Sequence, residues 1–169
     1  MAKNILILNG SPRNNGNTSH LVEEFTKGAE RAGHNVKCFN LQQMDMHPCL
    51  GCFGGGKDPD SPCVQKDDML KIYPYFENAD VLVFSTPMYY WSITAQLKIA
   101  IDRLFAVQEK SSDYEMPKLK CILLMAAGGE TDDNFEPAKH YYHALLKHLG
   151  WENLKEIYAG AVMNIDDIN

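Results

Sequence analysis

The chain has 169 residues, of which 45% are hydrophobic and 22% are charged, and it carries a net charge of −6 at neutral pH. This length and composition predict one domain with its own hydrophobic core. The lysines are scattered and paired with acids rather than clustered, which speaks against nucleic-acid binding. No stretch approaches the roughly 20 apolar residues that span a bilayer, which speaks against a membrane protein.

The cysteine count points to a reducing compartment. Five cysteines make an odd number, and no charged-then-apolar signal segment opens the sequence. Disulfides persist mainly in oxidising compartments, and the sequence gives no sign of export. We therefore expect reduced thiols and a cytoplasmic location.

Apolar runs alternate with helical stripes along the chain. The pattern predicts strands at 4–8, 35–41, 81–84, 121–126 and 154–162. It predicts helices at 18–32, 67–76, 93–105 and 135–149, with a long irregular segment at 42–66. Alternating strands and helices indicate an α/β protein, with a parallel sheet covered by helices on both faces. Ligands of such sheets bind beyond the carboxyl ends of the strands, where three informative loops should lie together.

The first loop, residues 10–18, lies between a strand and a helix and has the character of a phosphate site. Amides at a helix start lack partners, and the helix dipole there favours an anion. No acidic residue precedes Glu23, although the chain as a whole is acidic. The candidate phosphate-binding residues are Ser11, Arg13, Gly16, Asn17 and Thr18.

The spacing of this loop excludes two better-known phosphate loops. Pro12 replaces the second glycine of the dinucleotide fingerprint G-x-G-x-x-G. Five residues separate Gly10 from Gly16, and Asn17 stands where a nucleoside-triphosphate loop requires lysine. A single terminal phosphate fits best. The alternative is an ordinary turn in which Asn17 or Thr18 caps the helix.

Two further loops suit a flat ring. Residues 86–92 contain Tyr89, Tyr90 and Trp91 in succession, more aromatic surface than an irregular segment can bury, and Ser92 can cap the next helix. A planar heterocycle would cover these rings; alternatively they pack on a partner subunit or lid the core. The third loop, 126–131, has paired glycines that permit positive φ and close backbone approach. Together the loops predict a mononucleotide site.

These motifs carry a resemblance to a known family. The sequence is similar to flavodoxin-fold NAD(P)H-dependent FMN reductases, a group that includes iron–sulfur flavoproteins and quinone reductases. The similarity covers nearly the whole chain. The matching segments are Gly10-Ser11-Pro12-Arg13, Gly16-Asn17-Thr18, Pro87-Met88-Tyr89-Tyr90-Trp91-Ser92, Ala95-Gln96-Leu97-Lys98, Asp102-Arg103 and Ala127-Gly128-Gly129-Glu130.

The resemblance implies a flavodoxin-like three-layer sandwich, residues 1–169, with sheet order 2-1-3-4-5 and non-covalent FMN. The last helix of the family would then be missing. Ser11, Arg13, Asn17 and Thr18 would hold the phosphate. The residues beside the isoalloxazine would be Pro87, Met88, Tyr89, Tyr90, Trp91, Ser92, Ala127, Gly128 and Gly129.

The resemblance also implies an activity. Electrons would pass from NAD(P)H through FMN to a small acceptor such as a quinone or a flavin, in a homodimer or homotetramer. Because the cofactor carries the chemistry, no catalytic acid or base is assigned. The alternatives are an FMN electron carrier without nicotinamide turnover, and a binding module that has lost flavin.

Three cysteines of the long loop, Cys49, Cys52 and Cys63, leave several interpretations open. Some members of the resembled family bind an iron–sulfur cluster there, but Gly55 stands where a further cysteine is expected, and three thiolates fall short of four. A zinc site with His47 and a C-x-x-C redox dithiol are weaker alternatives. The preferred interpretation is thiols without a metal, near the flavin or a subunit interface.

Overall fold

The computed structural model describes residues 1–58, 61–130, 132–165 and 167–168. Five strands form one sheet of order β2-β1-β3-β4-β5, and all of its pairings are parallel. This confirms the predicted fold class. The strands are β1 (Asn4–Asn9), β2 (Asn35–Asn40), β3 (Val81–Pro87), β4 (Lys120–Ala126) and β5 (Glu152–Ala159). The helices are α1 (Asn17–Arg31), α2 (Tyr73–Glu77), α3 (Ala95–Arg103), α4 (Phe105–Gln108) and α5 (Asp132–Leu149).

The central strands are apolar on both faces because helices cover both faces. On one face, Ile7 of β1 and Val83 of β3 pack with Val22 of α1. On the other, Leu8 and Phe84 join the larger cluster formed by α2, α3, α4 and α5. The sheet is thus the middle of three layers, and its carboxyl edge bears the three loops. No helix in the described part of the chain has the length and hydropathy to span a membrane.

Several element boundaries differ from the sequence-based predictions, and three of the differences have a clear local cause. The helix predicted at 67–76 is split into a 3₁₀ turn, Asp68–Lys71, capped by Asp67, and α2, whose first turn accommodates Pro74. Ser92 does not cap α3; that position belongs to Thr94, whose hydroxyl accepts from the Leu97 amide. The last strand begins at Glu152 and ends at Ala159, since Ala161 has a φ of 60° and leaves the extended conformation.

Candidate functional site

The amino end of α1 opens onto the carboxyl edge of the sheet without a side-chain cap. Gly16 occupies the N-cap position, and the first turn contains no acidic residue. The Ser19 and His20 amides both donate to the Gly16 carbonyl, whereas the Asn17 and Thr18 amides donate to no described residue. The interpretation in which Asn17 or Thr18 caps this helix is therefore wrong. Two amides without a described partner at the positive end of a helix dipole are suited to an anion.

The loop before α1 is held in shape by its own hydroxyl groups. The Ser11 hydroxyl donates to the Arg13 carbonyl at 3.1 Å and accepts from the Arg13 amide at 3.3 Å. The Ser19 hydroxyl donates to the same carbonyl at 2.8 Å. The Thr18 hydroxyl, by contrast, has no hydrogen-bond partner in the described chain and is not fully buried, although the residue as a whole is only 3% exposed. Thr18 is therefore the side-chain donor best placed to serve a ligand, while Ser11 shapes the loop.

Asn17 is bound to a segment far away in the sequence. Its side-chain nitrogen donates to the Asn164 carbonyl at 2.7 Å, and its side-chain oxygen accepts from the Ile168 amide at 3.2 Å. Nothing in the sequence pattern predicts this contact between residues about 150 positions apart. The Asn17 side chain thus binds the C-terminal segment, which runs beside the start of α1.

Two adjoining clefts lie along this edge. The phosphate cleft, of about 200 Å³, is lined by Ser11, Arg13, Gly16, Asn17, Thr18, Pro87, Met88, Tyr89, Ala126, Ala127, Gly128, Val162 and Met163. The ring cleft, of about 430 Å³, is lined by Met88, Tyr89, Tyr90, Trp91, Ala127, Gly128, Gly129 and Asn134. The clefts share Met88, Tyr89, Ala127 and Gly128, so they form one continuous groove.

The groove brings together all but one of the residues that the sequence nominated. The exception is Ser92, which lines neither cleft. The sequence missed Ala126, Asn134, Val162 and Met163. The position of Ala126 at the end of an apolar strand was a usable signal, but no motif announced the other three. Thr131, the last residue of the predicted third loop, lies outside the described residues.

The aromatic loop turns back on itself at its tip. Tyr89 and Ser92 exchange two backbone hydrogen bonds, at 3.0 and 3.1 Å. The two residues between them have left-handed backbones, with φ of 47° at Tyr90 and 59° at Trp91. Their side chains are 95% and 58% exposed, so the interpretation that these rings lid the core is wrong. A two-residue turn of this kind normally uses glycine or asparagine, so it presents the aromatic rings at an energetic cost.

Paired glycines after β4 bring the backbone close to two neighbours. A Cβ atom at Gly128 would overlap the Met163 sulfur, and one at Gly129 would overlap the Asn134 side-chain amide. Close approach, rather than the positive φ that the sequence also allowed, is therefore their role. The Gly128 and Gly129 amides donate to no described residue, which leaves them free for the polar edge of a ring.

The groove is chemically simple. None of the described residues that line it carries a carboxyl, imidazole or thiol group. Arg13 is exposed at its edge and forms no ion pair with the described residues. The groove therefore offers free amides, the Thr18 hydroxyl and the Arg13 guanidinium to an anion, and aromatic and apolar surface to a ring.

The three loop cysteines do not fit a four-thiolate cluster. Cys49, Cys52 and Cys63 line one cleft of about 40 Å³, but Cys63 is buried while the other two are exposed. A Cβ atom at Gly55 would overlap the Glu109 carboxylate, which accepts from the Gly55 amide at 2.9 Å. In the described chain no three His, Cys, Asp or Glu side chains are arranged to hold a metal.

The long cysteine loop is attached to α3 by a buried ion pair. The Arg103 guanidinium donates to both Asp67 carboxylate oxygens, at 2.6 and 3.0 Å, and to the His47 carbonyl at 2.8 Å. Burial by itself raises the pKa of Asp67, but hydrogen bonds from Arg103, His47 and Met69 outweigh it and hold that pKa below its usual value. His47 is thus tied to this pair rather than directed at the thiols.

Sequence comparison places the chain among flavin-dependent reductases. Residues 3–162 match the model of the NADPH-dependent FMN reductase family. An iron–sulfur flavoprotein of Archaeoglobus fulgidus is 35% identical over 95 residues, which are 56% of this chain and 42% of that protein. An iron–sulfur flavoprotein of Methanocaldococcus jannaschii is 30% identical over 139 residues, which are 80% of this chain and 67% of that protein.

Structural comparison agrees on the fold. The NAD(P)H:quinone oxidoreductase from Methanothermobacter marburgensis superimposes with a TM-score of 0.79 at 20% identity, covering 99% of this chain and 88% of that one. At this identity the likeness shows the fold alone. The chain spans about half the length of the first curated relatives that it matches, from 42% to 50%.

The groove suits the cofactor of this family. FMN has one terminal phosphate and one tricyclic ring, and the groove has one uncapped helix start joined to one aromatic cleft. The family match extends over nearly the whole chain and includes every residue of the phosphate loop. By sequence and by fold, this chain belongs to the NADPH-dependent FMN reductase family.

Proposed function

We propose that the chain is an oxidoreductase that uses NADH or NADPH to reduce bound FMN and delivers the electrons to a small acceptor, such as a quinone or a free flavin. The observation that carries the proposal is the continuity of the two clefts through Met88, Tyr89, Ala127 and Gly128. A ligand with a phosphate at one end and a ring at the other fits this groove.

The phosphate end is held mainly by the start of α1. Three donors have no partner in the described chain: the main-chain amides of Asn17 and Thr18 and the Thr18 hydroxyl. A ligand group that accepts three or more hydrogen bonds, such as a phosphate, would satisfy them. Hydrogen bonds to a charged group contribute about 1.5–3 kcal/mol each, roughly twice as much as neutral ones. Arg13, exposed at the edge, adds a charge that steers the anion.

The ring end is held by aromatic surface and free main-chain donors. Tyr89, Tyr90 and Trp91 offer rings for offset or edge-to-face contacts, and the Gly128 and Gly129 amides can donate to the polar edge of the isoalloxazine. The ring cleft is shallow and lies at the exposed tip of the loop. A nicotinamide and an acceptor can therefore reach the ring in turn.

Bound FMN would supply the hydride-accepting and electron-transferring chemistry, and the groove residues would hold it in place. The described residues of the groove carry no carboxyl, imidazole or thiol group, and their polar side chains are the Arg13 guanidinium, amides and hydroxyls. The protein therefore contributes position and hydrogen bonds.

We also propose a homodimer or homotetramer in the cytoplasm, without nucleic-acid or membrane partners. The exposed rings of Tyr90 and Trp91 support contact with a second subunit at the ring cleft. Five cysteines without a disulfide support a reducing compartment. Sedimentation of the purified protein with and without FMN measures the assembly directly.

An anaerobic reductive titration tests the proposed activity. We expect purified protein reconstituted with FMN to lose its yellow colour when NADH or NADPH is added, and to regain it with a quinone. The variant Thr26→Val, on the third turn of α1 and outside the groove, is a control that should bleach like the native chain. Protein that binds FMN but does not bleach would instead be an electron carrier. Protein that cannot be reconstituted would refute both.

A further inference from the structure

The segment after β5 forms part of the cofactor groove. We use the name strap for residues 161–165 and 167–168. The Ala161 amide donates to the Gly129 carbonyl at 3.0 Å, and the Val162 amide donates to the Ala127 carbonyl at 3.1 Å. The strap is therefore attached to the glycine loop from its first residues. Val162 and Met163 then continue as one wall of the phosphate cleft.

The strap closes on itself through one carboxylate. Asp167 accepts from the Met163 and Asn164 amides, each at 2.7 Å. This turn presents the Asn164 carbonyl and the Ile168 amide, which are the two groups that Asn17 contacts. Asp167 itself lines neither cleft. The carboxylate thus shapes the strap without touching the groove.

Asn17 joins the strap to the start of α1. The Asn17 side chain donates one hydrogen bond to the strap and accepts one from it. Asn17 is buried, with an exposure of 9%. Because Asn17 directly follows the helix cap, the contact lies beside the free amides of the anion site. The strap consequently lies along one side of the phosphate cleft, with the Met163 sulfur close to Gly128, a residue that lines both clefts.

We propose that the strap retains bound flavin, with Asn17 as the positioning residue that latches it and Met163 as the wall that faces the ribityl chain. This inference rests on the proposed function, because it assumes FMN as the ligand. Asn17 then acts through the strap, in addition to any contact with the phosphate. The strap closes over the part of the ligand that FMN and riboflavin share, so both flavins should depend on it.

Binding of FMN and riboflavin to four variants tests the proposal. Asp167→Ala opens the strap turn, Met163→Ala removes the wall, and Asn17→Ala removes the latch. Asp80→Ala is the control, since this exposed carboxylate also accepts a backbone amide, that of Asn4, at the opposite edge of the sheet. We expect the first three to raise the dissociation constants of both flavins about ten-fold, the effect of losing one or two hydrogen bonds or an equivalent contact, and the control to change neither.

The double variant Asn17→Ala/Asp167→Ala separates a latch from a phosphate ligand. If Asn17 acts through the strap, the double variant should be no weaker than the worse single variant. If Asn17 serves only the phosphate, its substitution would weaken FMN and spare riboflavin, and the two effects would multiply. That result would overturn the proposal.

A measurement without flavin guards against misfolded variants. Hydrogen exchange of the Met163, Asn164 and Ile168 amides should accelerate about ten-fold in Asn17→Ala protein, while amides of β1 and β3 keep their native rates. Unchanged strap exchange would also refute the latch. If the native protein binds no flavin, the proposed function is refuted. If the native protein binds flavin and the Asp167→Ala variant binds it with the same affinity, only the role of the strap is refuted.

Discussion

The Thr94 hydroxyl donates to the Gly10 carbonyl at 2.9 Å and so joins the loop after β1 to the start of α3. Thr94 is also the N-cap of α3, and its amide donates to the Thr86 hydroxyl at 3.1 Å. One threonine therefore fixes the phosphate loop and both ends of the aromatic loop relative to each other. The alignment of the two clefts depends on this small contact.

Substitution of Gly10 should disturb this contact. A Cβ atom at Gly10 would lie 2.5 Å from the Thr94 hydroxyl oxygen and 2.8 Å from the Leu97 Cβ atom. We expect Gly10→Ala to lower the free energy of unfolding by about 1–3 kcal/mol, as overpacking of a tight site does, and to weaken FMN binding. Urea denaturation and flavin titration measure the two effects.

The control for this substitution is Gly28→Ala. Gly28 lies inside α1 with nothing near the position that a Cβ atom would take. Alanine there should raise stability by roughly 0.5–1 kcal/mol, because it lowers the backbone entropy of the unfolded chain. Equal effects of the two substitutions would contradict the close approach at Gly10.

Thr18→Val tests the anion site. Valine keeps the volume of threonine but removes the hydroxyl, which has no partner in the described chain. Loss of a hydrogen bond to a charged group costs about 1.5–3 kcal/mol, so we expect FMN affinity to fall about ten- to a hundred-fold. Riboflavin, which lacks the phosphate, should bind as it does to the native chain. An equal loss for both flavins would show that the hydroxyl does not serve the phosphate.

Asp67→Asn tests the ion pair that attaches the cysteine loop. The Asp67 and Arg103 side chains are only 4% and 1% exposed, and the substitution leaves the guanidinium buried without its counter-charge. We expect a loss of about 3–5 kcal/mol in unfolding free energy at neutral pH. Asp102→Asn, next to Arg103 in an exposed pair with Lys98, should cost less than about 1 kcal/mol.

The same pair predicts a pH dependence. The folded state holds the pKa of Asp67 below its usual value of 3.8, so the carboxylate contributes stability above that value. This contribution is lost as the pH falls through the folded-state pKa. Native protein should therefore lose stability on acidification below about pH 4, and Asp67→Asn protein should lose less over the same interval. Parallel curves for the two proteins would refute the assignment.

Metal analysis tests the cysteine loop. Because Glu109 occupies the space beside Gly55, we expect anaerobic treatment with iron and sulfide to leave native and Cys52→Ser proteins with the same low metal content. Zinc should also be equal in the two. If native protein acquired about four irons per chain, the number in a cubane cluster, and Cys52→Ser lost them, the loop would hold a cluster after all.

Local patterns predicted the fold well because each strand and helix carried its own signal. The apolar runs at Ile5 to Leu8 and Val81 to Phe84 are buried on both faces, and the glycine and hydroxyl pattern before α1 indicated the uncapped helix start that we propose binds the phosphate. Strands, helices and loops with such local patterns can be predicted from the sequence alone.

The parts that the sequence missed depend on contacts between distant residues. The Asn17 side chain was predicted to be a phosphate ligand because its actual partners, Asn164 and Ile168, belong to a segment without a recognisable sequence pattern. Thr94 took the capping position expected of Ser92, since Ser92 is held in the turn with Tyr89. Neither arrangement follows from neighbours along the chain.

The left-handed turn at Tyr90 and Trp91 has a consequence for engineering. Each of these backbones costs about 1–2 kcal/mol that asparagine followed by glycine would not incur. A search for greater heat resistance would thus favour that replacement, and the more stable protein would lack the two aromatic rings of the ring cleft. At this turn, the sequence that would be most stable differs from the sequence that supplies aromatic rings to the cleft.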